Sequence, residues 1–228
     1  MLILAVEQST DAGSVALLDG EKILGERAWD GFVLRSSGLF TALKDLLLAV
    51  SAGLTDVSHY VVDAGPGAYG GLRVSFAAVR AFVLPASRPI YALTSAEALA
   101  FETMERFSVE KVQVVGDARR RQLWSGLYGK NGNIPLAQSS LRLIPEDEFQ
   151  PAAGAMLVSP DWHRLQARLK SAAAAGAFVV EETRVPHAGF LGKLAWRKMQ
   201  SGFPGELLKP VYLHAAVESM KCVPENAK

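Results

Sequence analysis

HYVVDA (59–64) runs straight into GPGAYGGLR (65–73), and the apolar stretch that follows, VSFAAVRAFVL, ends one residue before Pro85. An apolar run, a turn with four glycines and a second apolar run read as strand, tight turn and helix. Gly65, Gly67 and Gly70 match the spacing G-x-G-x-x-G, which in a first strand–helix unit marks a dinucleotide site. Two features speak against that use. Three candidate strands precede the loop, and about 20 residues further on, where an acid should hold a ribose, the chain reads RPIYAL with no carboxylate before Glu97. The loop is therefore read as the tight passage from a strand into a helix, its glycines supplying unusual φ values and close backbone approach.

Outward from the loop the same alternation continues. LILAVE, SVALL and EKILGERAW read as three strands, the last two joined by a two-residue Asp19-Gly20 hairpin. A first helix is expected from Leu39 to Ala52, with Ser36 or Ser37 as N-cap and Gly53 as its stop. A second runs from Leu72 to Leu84, RPIYAL gives a short strand, and Thr94 or Ser95 caps a third helix with Glu97 near the capping-box position. After FSVEK the opening recurs: VQVVGD, the turn ARRR, QLWSGLY, the turn GKNGN and IPLAQ, with one further helix after Pro186. The chain thus reads as a structural duplication, an α/β protein of two tandem β-β-β-α-β-α subdomains, 1–107 and 108–228, the second shortened and its tail available to pack back on the first. That is the plan of the actin-like ATPase (ribonuclease H-like) fold, in which nucleotide lies between the halves.

Composition narrows the function. Half of the 228 residues are hydrophobic and the net charge is +1, which gives no general attraction to nucleic acid. The single cysteine, Cys222, forms no internal disulfide and suits a reducing compartment; the apolar N-terminus lacks a basic n-region and reads as a strand, and no run has membrane-spanning length, so a cytoplasmic protein without a membrane partner is expected. No Walker lysine motif and no G-x-S-x-G elbow occur. Glu7 and Asp117 close corresponding strands of the two copies. With Ser9, Thr10, Gly65 and Gly67 they make a candidate nucleotide cleft, and either serve as catalytic acids or satisfy backbone groups in their turns. Arg119, Arg120 and Arg121 form the densest basic cluster, either a contact to RNA phosphate or a solvated turn, with alternation placing Arg119 and Arg121 on one face. The first two helices are apolar well beyond the stripe needed to cover a sheet. Either the two helices cover each other and the shortened second half, or the surplus marks a partner surface, to which Leu39, Leu43, Leu46, Leu47, Gly70, Gly71, Arg73, Phe76, Val79, Arg80 and Val83 are assigned.

LAVEQSTDAGSVALL, GPGAYGGLRVSFAAVRA, VVGDARRRQLWSGLY and KPVYL, in this order, resemble the TsaB (YeaZ) family of bacterial tRNA threonylcarbamoyladenosine biosynthesis proteins across about the whole chain. The resemblance implies a non-catalytic subunit with a degenerate cleft that pairs with the catalytic relative TsaD and, with TsaE, supports transfer of threonylcarbamoyl to the adenosine beside the anticodon. It implies no cofactor of its own, ATP and magnesium used by the complex, a metal in the partner subunit, tRNA reached through the complex, and a homodimer when alone. The catalytic relative holds metal through a His-x-x-x-His pair; His59, His163, His187 and His214 include no such spacing. Ala68 and Gly70 stand where the family pattern has hydroxyls, and LRSSGLF replaces a segment with a histidine. The rivals are an active actin-like ATPase or kinase using Glu7 and Asp117, and a homodimeric binding module.

Overall fold

The computed structural model describes residues 1–30, 38–202 and 209–213. The expected caps Ser36 and Ser37 lie outside the described residues. Among the described residues ten strands and five α-helices follow one another: β1 (Leu2–Glu7), β2 (Ala12–Asp19), β3 (Lys22–Asp30), α1 (Gly38–Ala49), β4 (His59–Asp63), α2 (Tyr69–Val83), β5 (Ile90–Leu93), α3 (Ser95–Phe107), β6 (Lys111–Arg119), β7 (Gln122–Asn131), β8 (Ile134–Pro145), β9 (Met156–Ser159), α4 (Trp162–Ala174), β10 (Phe178–Thr183) and α5 (Ala188–Gln200).

The strands form two sheets of equal size, in the orders β3-β2-β1-β4-β5 and β10-β9-β6-β7-β8. β1 is antiparallel to β2 and parallel to β4; in the same way β6 is antiparallel to β7 and parallel to β9. The duplicated α/β architecture of the actin-like fold is therefore present, and among the described residues the two copies differ by a helix: 146–155 joins β8 to β9 without one where α1 joins β3 to β4. β9, α4 and β10 fill a region whose Pro- and Ala-rich sequence announced no regular element.

β1 shows why the central strands read as continuous apolar runs. Its side chains alternate between two cores: Leu4 and Val6 join the cluster under α1 and α2, whereas Ile3 and Ala5 join the one under α5. α5 belongs by sequence to the second copy yet lies on the first sheet. Its first amides donate to Ser14 Oγ and Glu26 Oε1, both at 2.9 Å, and Arg197 reaches Glu21, Glu105 and the Asn133 carbonyl. Gly192 lets it lie flat, since a Cβ there would stand 2.4 Å from Leu18 Cδ1.

Local details differ from the expected boundaries for identifiable reasons. Asp19 pairs with Lys22, so the hairpin turn is Gly20-Glu21, with Gly20 at φ +57° where a primed turn needs it. α1 stops before Gly53: Ser51 takes φ +52°, and the amides of Ser51 and Ala52 return to the carbonyls of Leu48 and Leu47, a Schellman close built on serine. Gly53 instead caps the short 3-10 turn Leu54–Asp56. α2 begins at Tyr69, earlier than the apolar periodicity suggested.

The arginines correct the expectation of alternating faces. Arg119, Arg120 and Arg121 all have left-handed φ, +66°, +52° and +56°, and the pairing of Arg119 with Gln122 makes Arg120-Arg121 a two-residue turn. Such turns favour Asn-Gly because an L-residue there costs roughly 1 kcal/mol. Arg120→Asn combined with Arg121→Gly should therefore raise stability by about 1 kcal/mol, seen as a higher urea midpoint at unchanged m value.

Candidate functional site

The two copies enclose a cavity of about 1230 Å³, walled by the β1–β2 turn, the glycine loop and the start of α3 on one side and by the ends of β6 and β9 on the other. Val211, Tyr212 and Leu213 line it as well, held by the bond from Val211 N to the Ala64 carbonyl at 2.7 Å and by Tyr212 against Tyr69, 5.2 Å between ring centroids.

The glycine loop is fastened to the β1–β2 turn. Ala68 N donates to the Ser9 carbonyl at 2.6 Å, and a Cβ on Gly67 would stand 2.1 Å from that same oxygen. A Cβ on Gly71 would stand 2.2 Å from the Gln8 carbonyl, whereas one on Gly70 would meet nothing within 4 Å. Gly65 takes φ +89°. Ser95, at the start of α3, closes the other side, its N donating to the Gly65 carbonyl and its Oγ to that of Pro66. The close approach made by these glycines is thus to the chain's own strand turn.

Of the cleft residues singled out in the sequence, Ser9, Thr10, Gly67 and Asp117 come together on the wall of this cavity, whereas Glu7 and Gly65 do not line it. Asp117 lies on the cavity wall, but Glu7 is fully buried behind it. Each is engaged locally: Glu7 Oε1 accepts from Ser9 N at 2.6 Å, Asp117 Oδ1 from Arg119 N at 2.7 Å, and Thr10 Oγ1 from Ala12 N at 3.1 Å. Asp117 also accepts from Arg119 Nη1 at 2.9 Å and has Arg164 Nη1 at 3.8 Å, so both guanidinium groups on the wall face one carboxylate. Asp161 receives the Asp117 amide at 2.9 Å, and burial holds its carboxyl above the usual range. Arg120 and Arg121 are exposed at the hairpin tip, away from the cavity.

The neighbour that Glu7 does have is Asp63, which sequence reasoning missed. Val6 pairs with Val62, so the residues that follow them end parallel strands side by side. Burial, then the Asp63 charge, pushes Glu7 well above the ordinary carboxylate range, and burial raises Asp63 to about 6. The signal was an aspartate ending the apolar run HYVV, but its meaning depends on a pairing that no local pattern displays. Among the described residues no group of three or more His, Cys, Asp or Glu side chains gathers around a common point.

The partner surface needs redrawing. Leu39, Leu43, Leu46, Phe76 and Val79 are packed in the first core with Leu4, Val15, Trp29 and Tyr60, because α1 and α2 bury more of their circumference than the stripe that faces the sheet. Leu47, Gly71 and Val83 are half-buried, and Gly70, Arg73 and Arg80 are exposed. Arg73 donates to Tyr69 Oη at 2.7 Å. What remains open is a groove of about 370 Å³ between the helices, lined by Phe40, Leu43, Lys44, Leu47, Leu48, Ala52, Leu54 and Phe82. Phe40 and Leu48 on its rim are 52% and 68% exposed.

The family model for TsaD, tRNA N6-adenosine threonylcarbamoyltransferase, matches residues 36–187. The tRNA threonylcarbamoyladenosine biosynthesis protein TsaB of Bacillus subtilis (strain 168) is 32% identical over 133 residues, 58% of this chain and 57% of that protein. TsaB of Buchnera aphidicola (subsp. Schizaphis graminum) is 24% identical over 135 residues, 58% of this chain and 63% of that protein. The match thus spans less than two thirds of either relative. Among solved structures, YeaZ from Pseudomonas aeruginosa superposes with a TM-score of 0.79 at 23% identity, covering 92% of this chain and all of that one. A protein with similarity to peptidase YeaZ, also from Pseudomonas aeruginosa, superposes with a TM-score of 0.81 at 25% identity, covering 93% and 99%. The chain belongs to the TsaD family of tRNA N6-adenosine threonylcarbamoyltransferases, and among the relatives compared it is TsaB and YeaZ that it resembles.

Proposed function

We propose that the chain is a non-catalytic subunit in tRNA threonylcarbamoyladenosine biosynthesis, pairing with TsaD through the groove between α1 and α2. The observation that carries this reading is the groove itself. Two large apolar side chains, Phe40 and Leu48, stand mostly exposed around an open apolar slot, and contiguous apolar patches of this kind mark interfaces. The cleft supports the non-catalytic half of the reading. Its wall offers Arg119 and Arg164 facing Asp117, and Glu7 lies behind the wall, engaged with Ser9 and Asp63. The chain acts in the cytoplasm without a cofactor of its own. ATP, magnesium and TsaE serve the assembly, the metal sits in TsaD, and tRNA is reached through the complex, with the exposed Arg120 and Arg121 available to its phosphates. When alone the chain self-associates through the same groove. No described helix is long and apolar enough to cross a membrane.

The test is complementation. Bacteria depleted of their own TsaB and supplied with this chain should regain threonylcarbamoyladenosine in digested tRNA, measured by mass spectrometry. Glu7→Gln and Asp117→Asn should support the same level. A loss confined to these two variants, with the protein present and folded, would instead make them catalytic acids.

A further inference from the structure

Glu7 ends β1 and Asp63 ends β4, and the parallel register brings both carboxyl groups out at the same edge of the sheet. Both are 0% exposed. One oxygen of each is occupied, Glu7 Oε1 by Ser9 N and Ser9 Oγ, and Asp63 Oδ1 by Gly65 N at 2.7 Å. The second oxygens, Glu7 Oε2 and Asp63 Oδ2, are buried and receive no donor. Two ionised carboxylates cannot be held side by side away from water, because repulsion adds to the loss of solvation for each. A single proton removes the difficulty and satisfies both orphaned atoms at once, since a protonated Glu7 donates through Oε2 to Asp63 Oδ2.

We propose that Glu7 and Asp63 share one proton and that this hydrogen bond fastens the glycine loop to the end of β1, so that removing the proton loosens the loop. The loop is held by the groups the pair organises: Asp63 receives the Gly65 amide, Glu7 fixes Ser9, and the Ser9 carbonyl receives Ala68 N. α2 starts at the next residue, so the proton sits where the strand turns into one wall helix of the groove. The groups that act on the pair besides its own members, Ser9, Gly65 and Ser95, are uncharged, and the adjacent Gln8 is engaged by Ser75 of α2 at 2.8 Å. The raised affinities of Glu7 and Asp63 for protons, caused first by burial, agree with one proton retained at neutral pH.

The sign of the linkage follows. A carboxyl whose folded pKa is raised contributes stability that is whole below the ordinary carboxylate range and is lost progressively as pH climbs from that range to the folded value, which is about 6 for Asp63 and is also raised well above the ordinary range for Glu7. Glu7→Gln makes the shared donor permanent, since its Nε2 replaces the proton while its Oε1 keeps both Ser9 bonds. In the full chain, this variant should melt higher than wild type at about pH 8 and converge with it toward about pH 5. The Ala68 amide should exchange more slowly in the variant than in wild type at the alkaline end. An infrared band of a protonated carboxyl group should be present in wild type near neutral pH and absent from Glu7→Gln. His187, whose affinity for a proton is raised by its bond to Glu102, adds a slope common to both proteins and cancels in the difference. Should Glu7→Gln fail to fold, Asp63→Asn decides, because its Nδ2 donates to Glu7 Oε2 while Oδ1 keeps Gly65. A variant melting below wild type throughout, no carboxyl band in wild type, or millimolar magnesium that stabilises wild type and not the variant would each overturn the shared proton, the last by showing a cation in its place.

Discussion

Gly67→Ala should lower stability by about 3 kcal/mol, whereas Gly70→Ala, three residues further along the same motif, should be neutral or stabilising by up to about 1 kcal/mol. At Gly67 the new methyl would stand 2.1 Å from the Ser9 carbonyl and 2.6 Å from Ser9 Cβ. Neither can move freely, because Ser9 is bonded to Glu7 through both its amide and its hydroxyl. The loop must therefore lift from the β1–β2 turn and lose the bond from Ala68 N to the Ser9 carbonyl. At Gly70 no atom lies within 4 Å, the residue sits in the first turn of α2, and alanine is the better helix former. Urea denaturation of both variants checks this. Equal losses at both positions would mean that the motif as a whole sets the requirement rather than contact with the strand turn.

That contrast shows what the sequence could and could not disclose. Strand, glycine turn and helix were legible at GPGAYGGLR because turn chemistry and apolar runs are local signals, and the repeated opening exposed the duplication. Which glycine meets which atom was not legible, since the Ser9 carbonyl arrives from a strand more than fifty residues away. Asp63 escaped notice for the same reason. Its meaning lies in parallel pairing with β1, and parallel partners are never neighbours in sequence. α1 and α2 displayed their apolar surplus plainly, but counting apolar residues does not say which are covered: Val79 is 1% exposed and Leu48 is 68% exposed. β9, only Met156–Ser159, and the Ala-rich end of α4 were too short or too uniform to carry a period.

The second large effect concerns the groove. Leu48→Glu should weaken binding to TsaD at least tenfold, because a large apolar side chain covered on binding contributes upward of about 1.4 kcal/mol and a carboxylate pressed against an apolar slot adds a desolvation cost. Folding should be untouched, since the side chain already stands in solvent. Phe40→Ala should weaken binding in the same direction: its ring packs edge-on against Phe82 at 6.4 Å and forms the opposite rim. Val79→Glu is the contrasting control. It buries an unpaired charge in the first core and should destabilise the chain itself by several kcal/mol, about the scale of a buried charge without a partner.

The most direct measurement is therefore a titration of purified TsaD with this chain, wild type against Leu48→Glu, alongside the melting temperature of each. The account predicts a saturable complex for wild type, a loss of at least tenfold in affinity for the variant, and matching melting temperatures. Equal affinities, or no complex with wild type, would contradict it.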